Sequence, residues 1–135
     1  MNRPVPCPCG SGNPYDTCCG PYIGGRAVPE TAEQLMRSRY TAYARQNANY
    51  LVATTYPSKR ARNELKAISK SFRGISWVGL EVIASDKGGA GDSEGLVEFR
   101  ATCTAGREKS GIHEKSRFVR EDGRWFYLDG EILPD

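Results

Sequence analysis

No apolar run in this sequence extends beyond a few residues, far short of the roughly 20 that a membrane-spanning helix needs. Charged residues make up 26% of the chain, so a soluble body without a membrane span is expected. The opening stretch MNRPVPCPCG has early prolines and no apolar h-region, so it does not resemble a secretory leader and the cytoplasm is the expected compartment. Histidine occurs once, at His113, and no phosphate-binding glycine loop precedes a helix. A nucleotide-binding loop of the usual kind is thereby excluded.

The cysteines are five, an odd number that suits no complete disulfide framework, and such a framework needs an oxidising compartment, which the expected cytoplasmic location argues against. Four of them cluster as Cys7, Cys9, Cys18 and Cys19. Cys7-x-Cys9 and Cys18-Cys19 offer two thiolate pairs, and zinc accepts four thiolates tetrahedrally at about 2.3 Å. Between them Gly10, Ser11, Gly12, Asn13 and Pro14 favour tight turns, letting backbone N–H groups face the sulfurs. Adjacent cysteines cannot share one helix face, so the chain must leave regular helix at Cys18-Cys19. One structural zinc ion is expected, with Cys103 left outside as a small core residue in the alternating series Val97, Phe99, Ala101, Cys103. The formal charge of +3 becomes +1 once four thiolates and a zinc dication are included, so bulk charge does not indicate nucleic acid.

Residues 1–25 are too rich in proline, glycine and cysteine for regular structure, and Gly24-Gly25 closes them as a hinge. A zinc-bound appendage, 1–25, and a body, 26–135, are expected. Thr31 and Gln34 form a capping box ahead of a helix that ends near residue 46 or 47 and presents Ala32, Leu35, Met36, Ala42 and Tyr43 on one face. A short helix over 50–56 stops before Pro57. Ser58 is expected to cap a third, which buries Ala61, Leu65, Ile68 and Phe72 and turns Lys59, Arg62, Lys66, Lys70 and Arg73 outward. The period then changes to two, predicting strands over 75–84, 96–104, 112–120 and 124–129, the last pair joined by an Asp122-Gly123 turn. Helices followed by strands predict an α+β fold, with the helices packed on a curved antiparallel sheet.

The cysteine segment CPCGSGNPYDTCCG resembles the SEC-C motif, the zinc module found at the C-terminus of the SecA translocation motor. All four ligand positions match. In SecA-type modules the intervening residues are commonly lysine-rich and dock the SecB chaperone. Here they read Asn13, Pro14, Tyr15, Asp16 and Thr17, which argues against SecB binding. The body is similar to the YchJ family, on the strength of LMRSRYTAY from Leu35, the SRF triplet from Ser116 and WFYLDG from Trp125. That resemblance implies a cone-shaped, nuclear-transport-factor-like body with a cavity in its mouth. Longer members carry a second SEC-C motif, which is absent from this sequence.

Arg39 falls in the middle of the apolar face of the first long helix, where it either snorkels past the edge or points into a polar cavity. In the register set by Asp122-Gly123, Tyr127 opposes Phe118 and Asp129 opposes Ser116. Glu114, Tyr127 and Asp129 then share a sheet face, with Glu114 and Asp129 as partners for Arg39. Arg37 is expected to face outward. His113 alternates onto the opposite face and is read as a surface residue. No catalytic set is assigned, although such a cavity could bind a small molecule or support proton transfer. The basic stripe of the third helix has no interleaved aromatics to stack bases, so nucleic acid is not the expected partner. An interaction or adaptor role is favoured, with Tyr15, Tyr22 and Ile23 as contacts for a protein partner or as clamps onto the body; the oligomeric state is not legible.

Overall fold

The computed structural model describes residues 4–134. Four helices, α1 (Gly20–Ile23), α2 (Ala32–Ala44), α3 (Ala48–Ala53) and α4 (Glu64–Ser71), precede four strands, β1 (Ser76–Lys87), β2 (Glu94–Ala105), β3 (Glu108–Glu121) and β4 (Arg124–Ile132). The strands form one antiparallel meander in the order β1-β2-β3-β4. Bulges in β1 near Val78 and Ile83 and in the β3–β4 pair bend the sheet around the helices, as extra residues in one strand of a pair do. The chain is therefore α+β, as the order of periodicities predicts.

Helix α2 is the central element. The Thr31 hydroxyl accepts from the Gln34 amide at 3.1 Å, and the Gln34 carboxamide takes the Glu30 amide at 2.7 Å, one residue before the N-cap position expected of a capping box. Gln46, in the left-handed region at φ 59°, ends the helix. Its burial extends beyond the predicted stripe to Ser38, Tyr40 and Thr41, because the sheet covers one side while the cysteine loop and α3 cover others. Leu35, Met36 and Tyr40 share a core with Val97, Ala101, Phe118 and Trp125. Cys7, Cys9 and Cys19 belong to the same core, so packing runs without a break across residues 25 and 26.

Helix α1 and a 3-10 turn over Tyr15–Thr17 form within residues 1–25, which were expected to lack regular structure, because Pro21 is tolerated in the first turn of a helix. Two further elements differ from expectation. Residues 57–63 form a 3-10 turn and a loop, tied back where Arg60 donates to the carbonyls of Thr55 at 2.9 Å and Ala53 at 3.0 Å. The third long helix therefore starts at Glu64 rather than after Ser58. It buries Ile68 and Phe72 and leaves Ala61 and Leu65 exposed. Second, Asp122 and Gly123 both have positive φ, 52° and 78°, the pairing of a type I′ hairpin. Beyond that turn Phe118 opposes Tyr127, but a bulge at Leu128 makes Asp129 oppose Arg117 instead of Ser116.

Candidate functional site

Two groups of residues stand out, a cysteine cluster at the start of the chain and a cavity under the sheet. The sulfur atoms of Cys7, Cys9, Cys18 and Cys19 all lie within 4.8 Å of one another, with Cys9 and Cys18 at 3.6 Å. A tetrahedron of sulfurs about 2.3 Å from a zinc ion has edges of about 3.8 Å, so the donor set fits a metal of that size. The loop that gathers them is held by Cys7 N–H to Asn13 O at 2.9 Å and Tyr15 N–H to Val5 O at 2.8 Å. Between a 3-10 turn over Tyr15–Thr17 and α1, Cys18 adopts a non-helical ψ of −98°, the break that lets adjacent cysteines face one point.

Two hydroxyl groups lie against the sulfurs, one from the buried side and one from the exposed side. The Thr41 hydroxyl donates to Cys19 Sγ at 3.3 Å and lies 3.7 Å from Cys7 Sγ, while Ser11 Oγ is 3.1 Å from Cys18 Sγ. Donation from Cys19, and after it from the Ser11 side chain and amide, outweighs burial and lowers Cys9 to about 4. The same bond, with burial, pushes Cys19 up, and burial raises Cys18. Four neighbouring thiolates cannot coexist without a cation to balance them, and a divalent metal supplies that balance. Sequence reasoning missed Thr41 and Ser11, and only their small hydroxyl side chains could have signalled such a role.

Arg37 donates through Nη1 to the Cys9 carbonyl at 2.9 Å and through Nε to Glu33 at 3.0 Å. It is not the outward-facing residue that the helical wheel predicts, because the cysteine loop lies on that side of α2. Tyr15 packs against the core beneath the Arg45 guanidinium, 4.1 Å from its ring centroid, and Ile23 packs against both apolar cores. These two clamp the segment onto the body, while Tyr22 lines a groove with Leu35, Tyr50 and Trp125.

The second group lines a cavity of about 200 Å³ between α2 and the inner sheet face. Six aromatic side chains contribute, Tyr40, Tyr43, Trp77, Phe99, Phe118 and Tyr127, with Arg39, Glu114 and Ser116 as polar members. Arg39 is 8% exposed. Its Nη1 donates to the Leu51 carbonyl at 2.9 Å, Thr54 Oγ1 at 2.7 Å and Thr55 Oγ1 at 3.3 Å, at the C-terminal end of α3, where free carbonyls favour a cation. Burial lowers its pKa. The Tyr127 ring lies under the guanidinium, 4.6 Å from Cζ. Backbone bonds from Tyr56 N–H to Tyr127 O and from Tyr127 N–H to Thr54 O, both 2.8 Å, hold it there. Glu114 accepts from Ser116 and, at 3.3 Å, from Tyr127, and burial, then the Glu114 charge, raises the Tyr127 phenol. Gly130 leaves room for that carboxylate, since a Cβ there would collide with Glu114 and stand 2.9 Å from the Tyr127 hydroxyl.

Three placements correct the sequence reading. Neither Glu114 nor Asp129 forms an ion pair with Arg39, whose nearest partners are the α3 terminus and the Tyr127 ring. Asp129 lies on the other side of the sheet, paired with Arg117 at 2.6 Å, because the bulge at Leu128 reverses its direction. His113 is on the face opposite Glu114 as expected, but only 10% of its side chain is exposed. It pairs with Glu98 at 2.7 Å, under Leu133 and Pro134. Among the described residues no helix is long and apolar enough to cross a membrane, and the basic residues 59–73 are exposed but divided among a 3-10 turn, a loop and α4.

Two family models match successive parts of the chain. Residues 3–21 match the SEC-C motif, and residues 31–130 match the YchJ middle NTF2-like domain. A UPF0225 protein of Chromobacterium violaceum is 47% identical over 127 residues, covering 93% of this chain and 92% of its own. The solution structure of a SEC-C motif containing protein from Rhodopseudomonas palustris superposes with a TM-score of 0.84 at 33% identity, covering 96% of this chain and 100% of that one. A protein with a cystatin-like fold from Caulobacter vibrioides, 12% identical with a TM-score of 0.57 over 78% of this chain and 89% of its own, shares the fold alone. With both modules present and relatives aligned along nearly its whole length, the chain belongs to the YchJ-like UPF0225 family of SEC-C proteins.

Proposed function

We propose that this chain is a zinc-stabilised binding protein, in which Cys7, Cys9, Cys18 and Cys19 hold one structural zinc ion and the aromatic cavity receives a small molecule. The observation that carries the metal assignment is the convergence of four sulfurs within 4.8 Å with three of the four cysteines buried in the core. Four protein thiolates fill a tetrahedral coordination sphere and leave no position for a substrate, so the ion's work is to fix the chain. It replaces an apolar core that residues 4–25 are too short to build, and Arg37 and Thr41 connect the fixed loop to α2. Thiolates in this state need a reducing compartment, which favours the cytoplasm.

The cavity reading is favoured over an adaptor surface because Tyr15 and Ile23, two of the three apolar residues that a partner would use, are engaged within the chain. We assign no reaction to the cavity. Metal analysis of the purified chain tests the metal assignment: one zinc per chain is expected, falling to none in Cys7→Ser/Cys9→Ser and unchanged in Cys103→Ser. Two metals per chain, or full zinc content in the double variant, would overturn it.

A further inference from the structure

Arg39 is a buried cation with three of its five N–H donors, the one on Nε and the two on Nη2, unused. All three of its hydrogen bonds leave through Nη1. Among the described residues no acceptor takes its Nε or Nη2 protons, yet no buried nitrogen there is sealed off without a partner. Those two atoms therefore still border open space, and the residue lines the cavity. The Nε and Nη2 edge of a guanidinium presents two parallel N–H groups, the fork that a carboxylate meets with both oxygens. The Tyr127 ring covers one face of the guanidinium, which keeps the free edge in place.

The rest of the cavity states the size and character of the molecule that would bring such a carboxylate. Its volume is about 200 Å³, where a cavity of about 150 Å³ accommodates benzene, so one ring with a small substituent fits. Aromatic side chains from α2 (Tyr40, Tyr43) and from the sheet (Trp77, Phe99, Phe118) supply faces and edges for that ring. Glu114 turns Oε2 to the hydroxyls of Ser116 and Tyr127, which draws its charge toward the sheet.

We propose that the cavity binds a small aromatic monocarboxylate, gripped by the Nε and Nη2 edge of Arg39 with its ring among the aromatic side chains. This rests on the small-molecule reading above and adds the chemical class. In the other direction, the bound carboxylate gives the buried guanidinium the counter-charge that no protein carboxylate provides by direct contact.

The test is ligand titration of the full-length zinc-loaded chain, followed by thermal shift and by chemical-shift changes of the cavity aromatics, with three probes of one shape and different charge: benzoate, benzamide and benzamidinium. Benzoate is expected to raise the melting temperature and to shift Phe118 and Tyr127. Losing the charged hydrogen bonds should make benzamide about 10- to 100-fold weaker. Arg39→Lys, which keeps the charge but not the fork, should weaken benzoate about tenfold or more; the wild-type series decides the matter if that variant does not fold. Equal binding of benzamide and benzoate would overturn recognition of the carboxylate. Binding of the cationic probe in place of benzoate would overturn the class and leave the small-molecule reading standing, with Glu114 as the anchor. No response to any of the three at millimolar concentration would overturn both.

Discussion

Arg39 holds the carbonyl oxygen of Leu51 at 2.9 Å, closing the C-terminal turn of α3 with a charge that has no carboxylate in contact. A buried arginine paired with Glu114 or Asp129 would lose about 3 to 5 kcal/mol on replacement, because a carboxylate would be stranded. Here nothing is stranded. Thr55 Oγ1 still donates to Leu51 O at 2.8 Å and Thr54 Oγ1 to Tyr50 O at 2.8 Å, so Arg39→Met exchanges three bonds for an apolar side chain of similar reach. The expected loss is only about 1 kcal/mol, read from denaturant melts. A loss near 4 kcal/mol would mean that a buried counter-ion does exist.

Arg37→Met is expected to behave differently from the silent surface substitution that its wheel position suggests. Its bond to the Cys9 carbonyl is charge-assisted and links the cysteine loop to α2. Losing it should lower stability by about 1 to 2 kcal/mol, and should also speed zinc release to a chelator. Unchanged release would confine Arg37 to its surface pairing with Glu33.

Much of this arrangement was legible in the sequence. The clustering of the four cysteines could be read because such a donor set depends on residue type and local spacing, and the Asp122-Gly123 hairpin because positive φ restricts the choice of residue. Asp129 was misplaced because a bulge one residue away reverses every direction beyond it, and nothing in Tyr127, Leu128 and Asp129 announces a bulge. Arg37 was misread, and the burial of Ser38 and Thr41 was not read at all, for another reason: a single-face wheel assumes one covering layer, whereas α2 is covered by the sheet, by α3 and by the cysteine loop. The lining aromatics Trp77, Phe99 and Phe118 were not singled out, since alternation gives a face but not whether that face closes on protein or on a cavity.

Alkaline pH offers a check on α3. The Tyr50 hydroxyl lies 2.6 Å from Ser38 Oγ, and burial raises its pKa from 10.0 to about 12. The folded chain keeps this proton when the unfolded chain has released it. Its contribution is therefore complete below pH 10 and is lost as pH rises toward about 12, a change on the order of 2 kcal/mol. Phenolate absorbance should show a late step that disappears in Tyr50→Phe. The variant's stability should also fall less steeply than the wild type's above pH 10. Parallel curves would place the Tyr50 hydroxyl in contact with water.

The claim that the metal is part of the fold is tested most directly by equilibrium unfolding of the zinc-loaded chain and of the chelated chain, followed through tryptophan. Trp125 is buried in the core that contains Cys7, Cys9 and Cys19, and Trp77 packs against that core, so both report on the body. Structural zinc contributes roughly 10 to 16 kcal/mol of binding free energy in small modules. If packing is continuous, chelation should shift the tryptophan transition to markedly lower denaturant as one cooperative step, and added zinc should restore it. A tryptophan transition that stays where it was after complete removal of the metal would show the cysteine segment to be a detachable appendage and would contradict the account.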